Sequence, residues 1–117
     1  MASYKIAGLQ FLPVQGRDSA GKLKTGVYVT VTDWEQWNPT DLSIYMHKQA
    51  ALWQRQNPFA ALSTTDQRAF KIHLGSNAWY EELVRSGGKI DPTPFLKDWK
   101  ERAVRYREQS KTYWLYR

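Results

Sequence analysis

Residues 26–33, GVYVTVTD, alternate strictly: Val27, Val29 and Val31 fall on one side of an extended chain, with Tyr28, Thr30 and Thr32 on the other. That period of two, in β-branched and aromatic residues, predicts a half-buried strand. An earlier stretch, YKIAGLQFLPV (residues 4–14), alternates less cleanly. Tyr4 and Ile6 share one face, Ala7, Leu9 and Phe11 the other, and the phase changes near Gly8. A glycine at a phase change predicts a β-bulge. The segment between the two runs is too short for a crossover helix, so the two strands pair as an antiparallel hairpin with a long tip.

After Asp33 the period becomes helical. Asn38 as N-cap, Pro39 at the first helical position and Asp41 in the first turn predict a helix start. The helix carries Leu42, Tyr45, Met46, Gln49, Leu52 and Trp53 as its buried stripe and stops before Asn57-Pro58. A second start lies at Ser63–Asp66, followed by Ala69, Phe70, Ile72 and Leu74. LGSN (Leu74–Asn77) offers a stop at Gly75 and a new cap at Ser76. Trp79, Tyr80, Leu83 and Val84 then line a short segment closed by Gly87-Gly88. A last helix begins at DPTPF and extends toward the C-terminus. At about 100° per residue, Phe95, Leu96, Trp99, Ala103, Tyr106, Ser110, Tyr113 and Trp114 share one arc, with Lys97, Lys100, Arg107 and Lys111 beside it.

The expected fold is α+β: a hairpin arm (residues 1–33) followed by a part (residues 38–117) of three or four α-helices, together a small single domain. Six Trp, seven Tyr and four Phe in 117 residues supply the large side chains for a core. No apolar run approaches the roughly 20 residues needed to span a bilayer, and the N-terminal residues lack a secretory-leader layout. Cysteine is absent, which excludes disulfides, a thiol nucleophile and Cys-ligated metal. A cytoplasmic location is the expectation.

The formal charge is +6, and residues 92–117 alone carry seven basic against three acidic residues. An acidic partner, nucleic acid or protein, would suit that bias. GRDSAGKLKTG (Gly16–Gly26) spells most of a phosphate-binding loop, G-x-x-x-x-G-K. However, Leu23 stands where a Mg²⁺-binding hydroxyl is required, and a strand follows where a helix N-terminus is required. The stretch is instead a cationic hairpin tip presenting Arg17, Lys22 and Lys24. These three, with Lys97, Lys100, Arg107 and Lys111, are the candidate contacts to phosphate or an acidic surface.

The closing KTYWLYR places four bulky residues in a row, more than one side of a helix can bury. Tyr113, Trp114, Tyr116 and Arg117 are therefore candidate protein-interface residues, with burial in the core as the alternative. Trp34 and Trp37 pin the strand-to-helix connection. His47 and His73 lack metal-binding spacing, Glu81 and Glu82 project apart, and no nucleophile elbow occurs. These absences lead to an expectation of no catalytic residues, no metal, no cofactor and no small-molecule substrate. The leading expectation is a non-enzymatic structural or interaction protein, a small subunit of a larger assembly such as a phage-like virion, with a protein partner or self-association. The alternative is a nucleic-acid-binding accessory protein using the basic tip and the basic stripe of the last helix.

Overall fold

The alternation at residues 26–33 does form a strand, and the pairing runs further toward the tip than the pattern indicates. In a computed structural model describing residues 4–115, β1 (Leu9–Arg17) pairs antiparallel with β2 (Leu23–Val31), from Leu9 opposite Val31 to Arg17 opposite Leu23. Gly16 and Gly26 lie within the ladder, so the tip is only Asp18–Lys22. Asp18 shapes it: its Oδ1 accepts from the backbone N–H of Ala20 (3.0 Å) and Lys22 (2.9 Å), a local side-chain turn of the kind Asp favours.

Gly8 is not a bulge. Its φ of +74° places it in a turn ahead of β1, where its carbonyl accepts from Thr32 N–H (2.8 Å) and Asp33 N–H (3.3 Å). A Cβ there would lie 2.4 Å from the Asp33 carbonyl oxygen and 2.8 Å from the Trp37 nitrogen. The phase change in the sequence therefore marks where the hairpin base is clamped to the connection at residues 33–37.

Four helices follow: α1 (Pro39–Trp53), α2 (Thr64–Leu74), α3 (Asn77–Ser86) and α4 (Thr93–Ser110). Their ends obey the local signals. Asn38 Oδ1 accepts from Thr40 N–H (3.0 Å), Ser63 Oγ from Asp66 N–H (3.1 Å) and Ser76 Oγ from Trp79 N–H (3.2 Å). Gly75, at φ +72°, ends α2 in the left-handed conformation, so LGSN separates two helices. A 3₁₀ turn at Gly87–Lys89 leads to α4, and another at Lys111–Tyr113 follows it.

The core sits where α1, α2, α3 and the first half of α4 converge. Ile44, Ala51, Phe59, Trp79, Tyr80, Leu83 and Ile90 are buried, with Phe70, Phe95 and Trp99 packed around them. Trp79, Phe95, Phe59, Phe70 and Tyr80 meet at ring separations of 5.1–5.6 Å in tilted or edge-on pairs, the geometry that ring quadrupoles favour. Polar atoms within this core are satisfied: Tyr80 OH donates to Phe59 O (3.0 Å), and Asn57 Nδ2 donates to the carbonyls of Leu83 and Val84.

Two expected stripes shift. On α1 the buried residues are Ile44 and Ala51, while Met46, Leu52 and Trp53 are exposed. α1 rests on the turn after α3, with Lys48 Nζ donating to Ile90 O (2.7 Å), and that contact turns its Ile44/Ala51 face inward. The predicted arc is half-buried at Phe95, Leu96, Trp99 and Ser110, while Ala103 and Tyr106 on α4 and Tyr113 and Trp114 beyond it are exposed. The helix runs past the end of the core. Because the hairpin projects as well, the radius of gyration is 17.4 Å, against about 13 Å for a compact chain of this length.

Candidate functional site

The connection between β2 and α1 forms one wall of a surface groove. Asp33 organises it: Oδ1 accepts from Glu35 N–H (2.9 Å) and Gln36 N–H (3.2 Å), and Oδ2 accepts from Gln36 Nε2 (2.8 Å). Trp37 packs edge-on against Trp34 at 5.4 Å, leaving Trp34 73% exposed. The chain then enters α1 through Asn38, with Asp41 in its first turn. The first half of α4 forms the opposite wall. The groove between them has a volume of about 660 Å³, with Glu35, Gln36, Asp41 and Tyr45 facing Lys97 and Lys100. A smaller hollow of about 330 Å³ shares Asn38, Asp41, Leu96 and Lys100 and extends along α4 to Arg107.

Asp41 is half-buried. Loss of water contact raises its carboxyl above the usual carboxylate range, and the nearby charge of Lys100 pulls it partly back. Tyr45 lies against Tyr4, ring centroids 4.8 Å apart. Burial raises the Tyr4 hydroxyl, and its neighbour Tyr45 adds to the effect. The groove thus joins a desolvated carboxyl, a second carboxylate, amide side chains and two lysines.

The predicted cations divide into three sets. At the hairpin tip, Arg17 Nη1 donates to Gly21 O (2.8 Å) and Lys24 stands 3.8 Å from Asp18, while Lys22 shares the same tip; none of them lines the groove. Near the end of α4, Lys111 is clasped by both carboxylate oxygens of Glu108, at 2.8 and 2.7 Å. Lys97, Lys100 and Arg107 border the groove and its extension, and among the described residues none of the three forms a salt bridge within 4.0 Å. The carboxylate of Asp98, on another face of α4, is taken by Arg102 at 2.8 Å.

Tyr113, 84% exposed, and Trp114 are not core residues; they line a shallow depression with Tyr106 and Arg107. Tyr116 and Arg117 lie outside the described residues. His47 is a packing residue, wedged between Phe59 and Phe70 with Nδ1 accepting from Trp79 Nε1 at 3.3 Å. Burial lowers its pKa. Among the described residues, no group of three or more His, Asp or Glu side chains is placed to hold a metal ion, and no helix is long and apolar enough to cross a membrane.

Sequence reasoning missed Glu35, Gln36, Asp41 and Tyr45 as site residues. Asp41 reads as a helix-start residue and Tyr45 as part of a buried stripe. Only the approach of residues 93–107 to residues 35–45 gives them a common surface, and no spacing motif announces it.

No curated protein and no solved structure matches the chain. A family model does, the one described as exo-beta-N-acetylmuramidase NamZ, C-terminal, over residues 1–116. That match overturns the expectation of a non-enzymatic structural protein, a virion component or a nucleic-acid accessory protein, because it links the chain to a hydrolase. The expectation failed because it rested on the absence of familiar catalytic spacings, and a domain of a glycoside hydrolase need not carry one. With nearly its whole length matched, the chain belongs to the exo-beta-N-acetylmuramidase NamZ C-terminal family.

Proposed function

We propose that this chain serves in the hydrolysis of terminal β-linked N-acetylmuramyl residues, and that the groove between α1 and α4 receives the terminal sugar. The family match over residues 1–116 carries this reading, and the chemistry of the groove supports it. A sugar presents hydroxyl and acetamido groups, which the carboxylates of Glu35 and Asp41 and the amides of Gln36 and Asn38 can pair with. Glycoside hydrolysis employs a pair of carboxyl groups flanking the scissile bond. Asp41 is the groove carboxyl whose environment raises its pKa. The role proposed for the groove itself is to bind and orient the terminal unit.

Titrating the chain with N-acetylmuramic acid while recording backbone NMR shifts tests this reading. Changes confined to residues 35–45 and 93–107 are the expected result. Changes confined to the hairpin, or none at all, would sink it. Assaying release of N-acetylmuramic acid from a disaccharide in parallel shows whether the chain cleaves or only binds.

A protein neighbour is a second part of the proposal. The face formed by Pro13, Val27 and Val29 is apolar and exposed, as are Tyr113 and Leu115. Exposed apolar patches of this kind mark contact surfaces, and the neighbour we infer is the catalytic portion of such an enzyme. Sedimentation of the chain mixed with that portion tests it, and two independently sedimenting species would argue against it.

A further inference from the structure

N-acetylmuramic acid differs from N-acetylglucosamine in one group, the lactyl ether at O3, whose carboxylate is ionised at neutral pH. A site that distinguishes the two sugars must therefore recognise one negative charge. Lys97 and Lys100 stand one helical turn apart, both lining the α1–α4 groove. Two other cations of this region are paired locally, Arg102 with Asp98 on α4 and Lys111, just after it, with Glu108. The two groove lysines form no salt bridge within 4.0 Å among the described residues, so both ammonium groups are left to meet an anion entering the groove. Asp41, whose carboxyl feels the charge of Lys100, lines the opposite wall together with Glu35. An anionic group entering between the walls would meet ammonium groups on one side only, which fixes the orientation of the sugar.

We propose that Lys97 and Lys100 bind the lactyl carboxylate of the muramyl unit and so set the preference of the groove for muramyl over glucosaminyl ends. This rests on the groove being the sugar site, as proposed above. Hydrogen bonds to a charged partner contribute more than neutral ones, and losing one here corresponds to a preference of about tenfold or more.

The test is calorimetric or NMR titration of the intact chain with three probes: N-acetylmuramic acid, its lactyl amide and N-acetylglucosamine. The expected result is binding of N-acetylmuramic acid about tenfold tighter than either neutral sugar, with the advantage lost in the Lys97→Gln/Lys100→Gln variant. Both lysines are exposed, so the variant should melt like the parent, and Arg17→Gln at the hairpin tip serves as a control that keeps the preference. Equal affinity for all three probes overturns the lysine assignment and leaves the groove standing. A preference that survives the double substitution does the same. If no probe binds the parent chain, the groove reading and this inference both fall.

Discussion

The aromatic centre of the helical part and the apolar face of the hairpin are built from equally hydrophobic residues and meet opposite fates. Trp79 has no exposed surface, enclosed by Phe95, Trp99 and the helices around it. Val27 and Val29, with Pro13 opposite Val27, form an apolar strip that stays exposed. Burial depends on how many elements converge on a residue, and a two-stranded ribbon is marginal in water without a cover. The contrast places stability in the helices and leaves the arm available for contact.

Substitutions should separate the two regions by size of effect. Trp79→Ala, in the enclosed centre, should cost about 3–5 kcal/mol, read as a shift in urea midpoint. Gly8→Ala, where the arm meets the helical part, comes next. Its backbone is left-handed and its new methyl would strike backbone atoms at 2.4 and 2.8 Å, so a loss of about 2 kcal/mol or more is expected. Gly21→Ala at the tip has a similar φ but open space around it, and should lose only about 1 kcal/mol. Equal losses for the two glycines would show that the clamp at Gly8 is not tight.

Acid should affect the core before the arm. Burial lowers the pKa of His47 from its ordinary value of 6.5, so the unfolded state takes up a proton that the folded state resists. The stability contributed by neutral His47 is therefore complete above that value and lost as pH falls toward the folded pKa. The melting temperature should drop between pH 7.5 and 5.5, and His47→Gln should flatten the drop. Smallest of all, Val27→Thr with Val29→Thr should change the stability of the free chain by about 0.5 kcal/mol or less while weakening association with a protein neighbour. A large loss of stability would mean that this face is already covered.

The same division governs what could be read in advance. The caps at Asn38 and Ser63 and the pairing of the two strands were legible because each is settled within a few residues; LGSN left break and bend both open, and the left-handed Gly75 decided for a break. The face of α1 was not. Apolar residues lie on more than one side of it, and which side is covered depends on the elements that meet Ile44 and Ala51: the turn at Gly87–Lys89 and the core side chains Phe59, Trp79 and Leu83. Nor was the exposure of Tyr106, Tyr113 and Trp114, since an amphipathic arc shows which side of a helix is apolar but not how far along it the core extends. Lys97, Lys100 and Arg107 were legible as cations, but their setting was not.

By itself, the sequence determined the hairpin, the helix starts, the lack of cysteine chemistry and the basic bias of the C-terminal region, all matters of local preference and composition. Tertiary structure alone decided that Asp41 and Lys100, far apart in the chain, share a groove, and that Asp41 is desolvated there. Charge and desolvation act through space, so a linear pattern holds no record of which distant side chains will face one another.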